Sequence, residues 1–274
     1  MRTLKTTATF IIIIIITALC SKAQFYINTN TSYGFDLAPM SISANYSPSK
    51  IESVKSSFGK GLDFGIGVGY HFNKNLAAEI DFTYLIGDKV EFTDAMDPYT
   101  PPQTEQLRGR MYRIIPTLKF SAAENRIKPY AKIGCVLGLG TTLTDKSVSY
   151  YSMWGGNIDK IEETAVFSGG MSFGFKGNLG LDIDLTDKWG LFAEINFISQ
   201  SWAPKQLETT SYTINGEDKL ATLDQREKVT EFVDSYNPSV SIEPYQNNKS
   251  LKIYLPYSSW GANIGIKYVF GKKE

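Results

Sequence analysis

Bulky apolar residues alternate with small or polar ones along much of the chain after residue 24, a period of two that marks strands and not helices. Phe25, Ile27, Thr29, Thr31, Tyr33 and Phe35 alternate with Tyr26, Asn28, Asn30, Ser32, Gly34 and Asp36. Leu62, Phe64, Ile66, Val68, Tyr70 and Phe72 repeat the pattern, and Leu76, Ala78, Ile80, Phe82, Tyr84 and Ile86 continue it after the turn Asn73-Lys74-Asn75. Further sets occupy residues 112–120, 131–139, 171–183, 189–197 and 260–270. The eight sets predict eight strands, each about ten to thirteen residues long and able to cross a bilayer at the usual tilt. Links at 73–75, 121–128 and 184–188 are short, whereas those at 37–60, 88–108, 144–166 and 200–256 are long and polar. Pro116 falls inside the fourth set, where its missing backbone donor predicts a bulge.

A soluble sandwich alternates too, so the second face decides between the readings. Opposite the bulky residues stand Gly65, Gly67, Gly69, Gly134, Gly138, Gly174, Gly180, Gly261 and Gly265. Glycines weaken a solvated sheet face but suit a narrow barrel whose interior is crowded. Aromatic residues gather at the ends of the sets. Tyr70, Phe72, Phe120, Trp189, Tyr268 and Phe270 mark one side, and Tyr84, Tyr112 and Trp260 the other, as two interfacial girdles would. The pattern predicts an all-β fold, an eight-stranded antiparallel transmembrane up-and-down β-barrel over residues 24–270 with long extracellular loops, short periplasmic turns and a tail at 271–274.

The N-terminus predicts export. Arg2 and Lys5 precede the apolar run that begins at Phe10, and Ser21-Lys22-Ala23 offers small residues for cleavage before Gln24. The run is too short to span a bilayer as a helix. A lipoprotein reading through Cys20 is the weaker one, since Leu19 stands where a small residue is usual. Removing residues 1–23 takes three of the 28 bases and none of the 28 acids, leaving a net charge of −3. That balance argues against nucleic acid as a partner. Cys135 is then the single cysteine, so no intrachain disulfide is expected.

The arrangement resembles the small OmpA/OmpW-like outer-membrane β-barrel family (outer membrane protein β-barrel domain) of Gram-negative bacteria. The segments that carry it are residues 65–72 (GIGVGYHF), 129–134 (PYAKIG) and 260–270 (WGANIGIKYVF). The resemblance implies an outer-membrane location, with outer-membrane lipid and the insertion machinery as partners. It also implies an insertion signal in the last strand, at Tyr268 and Phe270, although Gly271-Lys272-Lys273-Glu274 follows where such families end on the aromatic residue.

Candidate chemistry sits on the inward parity. Asp63, Glu79, Asp81, Asp182 and Glu194 oppose Arg113, Lys119, Lys132, Lys176 and Lys267, five acids against five bases. Inside a narrow barrel such charges are expected to form a lumen charge network that plugs the interior. His71, the chain's one histidine, falls beside a short turn, away from the outer surface where the lipid-modifying and proteolytic barrels of resembled families work. Asp182 and Asp184 are read as structural. No catalytic residue, metal cluster or cofactor is expected. Residues 200–256 are expected to hold an unidentified surface partner, with 206–214 and 251–257 rising as strand extensions and 229–233 a short turn. The alternative that this segment adds two membrane strands is disfavoured by its charges. Three function classes follow: a non-catalytic barrel with a structural or surface-interaction role, a passive channel for small or apolar solutes, and, less favoured, an outer-membrane lipid-modifying enzyme.

Overall fold

The computed structural model describes residues 24–97, 99–122, 126–152, 158–239 and 241–270. Residues 1–23, on which the expected cleavage and Cys20 fall, and the tail at 271–274 lie outside the described residues. The strands are β1 (Gln24–Asp36), β2 (Met40–Ser47), β3 (Lys50–Ser56), β4 (Gly61–His71), β5 (Leu76–Asp94), β6 (Gln103–Ser121), β7 (Ile127–Ser152) and β8 (Ile158–Ser168). They continue as β9 (Ser172–Asp184), β10 (Trp189–Trp202), β11 (Gln206–Ile214), β12 (Glu217–Asp218), β13 (Val229–Val233), β14 (Asn248–Leu251), β15 (Leu255–Pro256) and β16 (Ser259–Val269). A four-residue α-helix, α1 (Gln225–Lys228), is capped by Asp224.

All belong to one sheet of sixteen strands, not the eight counted from alternation. β1 is paired on both edges, to β16 and to β4. From β4 the antiparallel pairing runs through β5, β6, β7, β9 and β10, and β10 pairs β16 in turn. The sheet therefore closes on β1 and leaves no edge there, which is the condition for strands to lie in lipid. Apolar residues face outward along this ring: Ile66, Phe82, Ile133, Phe175, Ile195 and Ile264 are all exposed. Inward, Gly67 and Gly69 let side chains cross the lumen. A Cβ on Gly67 would lie 2.1 Å from Asp81 Oδ1, and one on Gly69 would lie 2.2 Å from the Tyr26 ring.

Most of the additional strands come from segments that read as loops, whereas β11 occupies 206–214, the range that reads as a strand extension. β5, β6 and β7 run to 19, 19 and 26 residues, well beyond the length a bilayer needs. Their far ends are joined by β8 on β7 and β11 on β8, and the β2–β3 hairpin meets β5 at Tyr46. Residues 229–233 form β13 instead of a turn, and of 251–257 only Leu251 and the pair Leu255–Pro256 are strand. Within the long segment, β11 pairs with β8 and not with a strand of the closed ring.

A reversal of phase hides the extensions of β5 and β7 from the alternation pattern. Ile80, Phe82 and Tyr84 point outward, yet Val90 and Phe92, of the same sequence parity, are buried inside. One extra residue in β5, between Ile86 and Lys89, flips the strand. β7 flips likewise where Gly140, at φ +55°, forms a bulge opposite the step from Arg110 to Tyr112, and Leu143 turns in. The inversion follows the change of solvent from lipid outside the ring to water outside the extensions. Pro116 causes no register shift. Its pairing with Ile80 is regular, and the β6–β7 ladder skips residues 115 and 116 and resumes in the same register.

Candidate functional site: the filled lumen

The ten inward charges lie on β4, β5, β6, β7, β9, β10 and β16, and all ten are buried. Six of them meet near the end with the short turns. Lys132 Nζ lies 2.7 Å from both Glu79 Oε2 and Glu194 Oε1. Lys119 Nζ lies 2.6 Å from Asp182 Oδ2 and 3.9 Å from Glu79 Oε1, and Lys267 Nζ lies 3.0 Å from Asp182. Three carboxylates thus alternate with three ammonium groups. Neutral donors add to the shell: the Tyr26 hydroxyl donates to Glu79 at 2.5 Å and the Tyr130 hydroxyl to Glu194 at 2.7 Å. Asn178 and Asn263 also donate to Glu194. Lys119 sits 3.9 Å over the Tyr130 ring. Buried carboxylates this well supplied with donors and opposite charge are tolerable, whereas lone ones would not be.

Higher in the lumen Arg113 Nη1 binds Asp63 at 2.9 Å. Its Nε donates to Gln200, whose amide donates to Ser172. Asp81 and Lys176 are the remaining acid and base. Asp81 accepts a 3.4 Å contact from Asn28 Nδ2, and neither has an ion pair within 4.0 Å among the described residues. Ile115, Val136 and Ile198 form a small apolar layer.

At the end bearing the extensions an apolar cluster occupies the mouth. Phe58, Leu85, Met111, Leu143, Trp202 and Tyr257 belong to it and are essentially inaccessible. Phe58 comes from the short link between β3 and β4, which Ser57 fastens by donating to the carbonyls of Pro256 and Ser258. Gly59 lies so close to Tyr257 that a Cβ would sit 2.3 Å from its carbonyl oxygen. Alternation does not reveal this stopper, because Phe58 lies in a segment that reads as a polar loop and Tyr257 at the end of 251–257, which reads as a strand extension rising away from the lumen.

His71 packs against the Tyr26 ring, with centroids 4.6 Å apart, beside the short 73–75 turn. Asp182 joins the network, while Asp184 pairs separately with Lys128 at 3.0 Å. No cluster of three or more metal-ligating side chains occurs among the described residues. Tyr268 stacks edge-on between Trp189 and Phe270, at 4.9 and 5.1 Å. The aromatic pairs Tyr84–Tyr112 and Phe35–Trp260, at 4.7 and 4.9 Å, mark the opposite rim.

Residues 18–215 match the family described as "Outer membrane protein beta-barrel domain". The chain belongs to that family. It is accordingly an outer-membrane β-barrel protein, and the expected resemblance and location hold. No curated protein matches in sequence. Among solved structures the chain is similar to Neisserial surface protein A, with 14% identity, 90% of this chain and 97% of that chain covered, and a TM-score of 0.37. It is also similar to the outer membrane protein OprG from Pseudomonas aeruginosa, at 12% identity, 90% and 96% coverage, and a TM-score of 0.42. For Acinetobacter baumannii CarO2 the values are 11%, 90% and 99%, and 0.35.

Proposed function

We propose that this chain is a non-catalytic, plugged outer-membrane barrel with a structural or surface-interaction role in the cell envelope. Its membrane-spanning set is the eight strands β1, β4, β5, β6, β7, β9, β10 and β16, with the short turns periplasmic and the extensions outside the cell. The observation that carries this reading is the filling of the lumen. A neutral cluster of three acids and three bases lies at one end, Arg113–Asp63 lies between, and the Phe58–Tyr257–Trp202 stopper lies at the other. An eight-stranded barrel has room for little beyond its own side chains. The sheeted extensions then present the surface at which an envelope partner would bind. Planar-bilayer recording of purified protein tests the reading: no stable open conductance is expected, and large, long-lived open events would overturn it.

A passive channel for small or apolar solutes is the second reading. It draws support from a wall groove of about 360 Å³ lined by Phe173, Phe175, Ser199, Gln200, Ser201 and Ser258. An enzymatic role has less support, since His71 is stacked on Tyr26 beside a short turn.

A further inference from the structure

The lipid-facing side of β5, β6 and β7 changes character abruptly above the Tyr84–Tyr112 pair. In the next row outward Ile86 stands opposite Arg110, and in the row after that Lys89 stands opposite Arg108. Lys146 of β7 lies one row further, opposite Gln106. All four side chains point away from the interior, where Met111, Leu107 and Leu143 are buried on the alternate positions. Lys89 and Arg108 are therefore a directly opposed like-charge pair, with Cβ atoms about 5 Å apart, an arrangement that destabilises a sheet when left alone. Among the described residues no carboxylate lies within 4.0 Å of the charged nitrogens of Lys89, Arg108, Arg110 or Lys146. The acids nearby are few. Glu91 is exposed in the row of Gln106, Asp88 is held by the Tyr33 hydroxyl at 2.6 Å, and Glu162 is held by Lys160 at 2.7 Å.

We propose that this cationic face binds the phosphate groups of a phosphorylated glycolipid of the outer leaflet. The argument rests on the orientation given above, with the extensions outside the cell. Tyr84 and Tyr112 mark the depth at which acyl chains give way to headgroups. Four cations begin one row above that depth on three adjacent strands, where a lipid phosphate would lie. Arginine presents a planar fork to phosphate oxygens, and lysine adds a point charge. The lipid phosphate supplies the negative charge that the sheet itself withholds from Lys89 and Arg108. The basic residues would also hold the lipid against the hydrophobic wall below, so chain and headgroup bind together.

The test compares full-length protein in phosphatidylcholine nanodiscs doped with bisphosphorylated lipid A or with its dephosphorylated form, read by native mass spectrometry. The variant is Lys89→Gln/Arg110→Gln/Lys146→Gln. It keeps Arg108, whose Nε bonds the Gly87 carbonyl at 3.0 Å. Wild type should retain the phosphorylated lipid at least about tenfold better than the dephosphorylated one, and the variant should lose most of that preference while keeping heat-modifiable migration. Should the variant misfold, Arg110→Gln alone supplies the comparison. Equal retention of both lipids, or an unchanged preference in the variants, overturns the proposal. Labelling of a Lys146→Cys/Cys135→Ser protein on whole cells by an impermeant maleimide reads orientation separately. Labelling with no lipid preference defeats the phosphate site alone, whereas no labelling defeats the orientation and the site with it.

Discussion

Lys132 is the side chain on which most of the lower network turns, because it is shared equally between Glu79 and Glu194 at 2.7 Å. Replacing it by Met would leave two buried carboxylates facing each other with one fewer counter-charge. Removing one partner of a buried pair costs about 3–5 kcal/mol. A Lys132→Met protein should therefore unfold at clearly lower urea concentration in lipid, and adding Glu79→Gln should recover much of the loss. A second residue acts above the membrane. Asp145 faces the interior of the extension, with Glu105 and Glu163 on the flanking strands. Burial first, and then the charges of Glu105 and Glu163, push its carboxyl up to about 7. Burial also raises Glu105. A raised carboxylate pKa means that the folded form holds a proton the unfolded chain releases near pH 4. Stability from this group is thus present at low pH and lost as pH rises towards 7. Amide protection in residues 141–150 should be higher at pH 5 than at pH 8, and Asp145→Asn should shrink the difference, leaving the part that belongs to Glu105.

At the scale of elements, the bulges decide what each strand faces. β5 and β7 each gain one residue where lipid ends, which moves Val90, Phe92 and Leu143 indoors and leaves Lys89 and Thr144 outside. The extension so formed has a core of its own, with Phe167 stacked on Phe232 at 5.9 Å. Yet the segment carrying Phe232 leaves and returns at one place, since Trp202 pairs with Leu255. Deleting residues 205–250 and joining the ends by a short turn should leave the ring of strands intact. The protein should still show heat-modifiable migration on a gel, although β8 would become a bare edge. Loss of that shift would mean that the segment is needed for assembly.

For the whole molecule, the ring and its filling form one mechanical unit. Strands that must satisfy every backbone group inside lipid close on one another, and the narrow interior that results has to be packed by their own inward residues. The inward positions were legible as positions: every one of the ten charges read from parity is buried. Their partners were not, because pairing across the lumen depends on how far each strand is staggered against the next. Glu79 and Lys132 are separated by fifty-odd residues, and nothing local says that they meet. The stopper was illegible for a different reason. Phe58 and Tyr257 belong to short irregular stretches without periodicity, and their burial depends on Ser57 tying the two stretches together.

By itself the sequence determined which face of each membrane strand is apolar, where the short turns fall and where the aromatic rims lie, because a period of two in lipid leaves no other choice. Only the tertiary structure decided the register that joins Lys132 to two acids, the bulges that reverse the phase, and the sheeted extension with its cationic face. Those depend on contacts between strands far apart in the chain, and on a change of solvent from lipid to water that the letters do not mark.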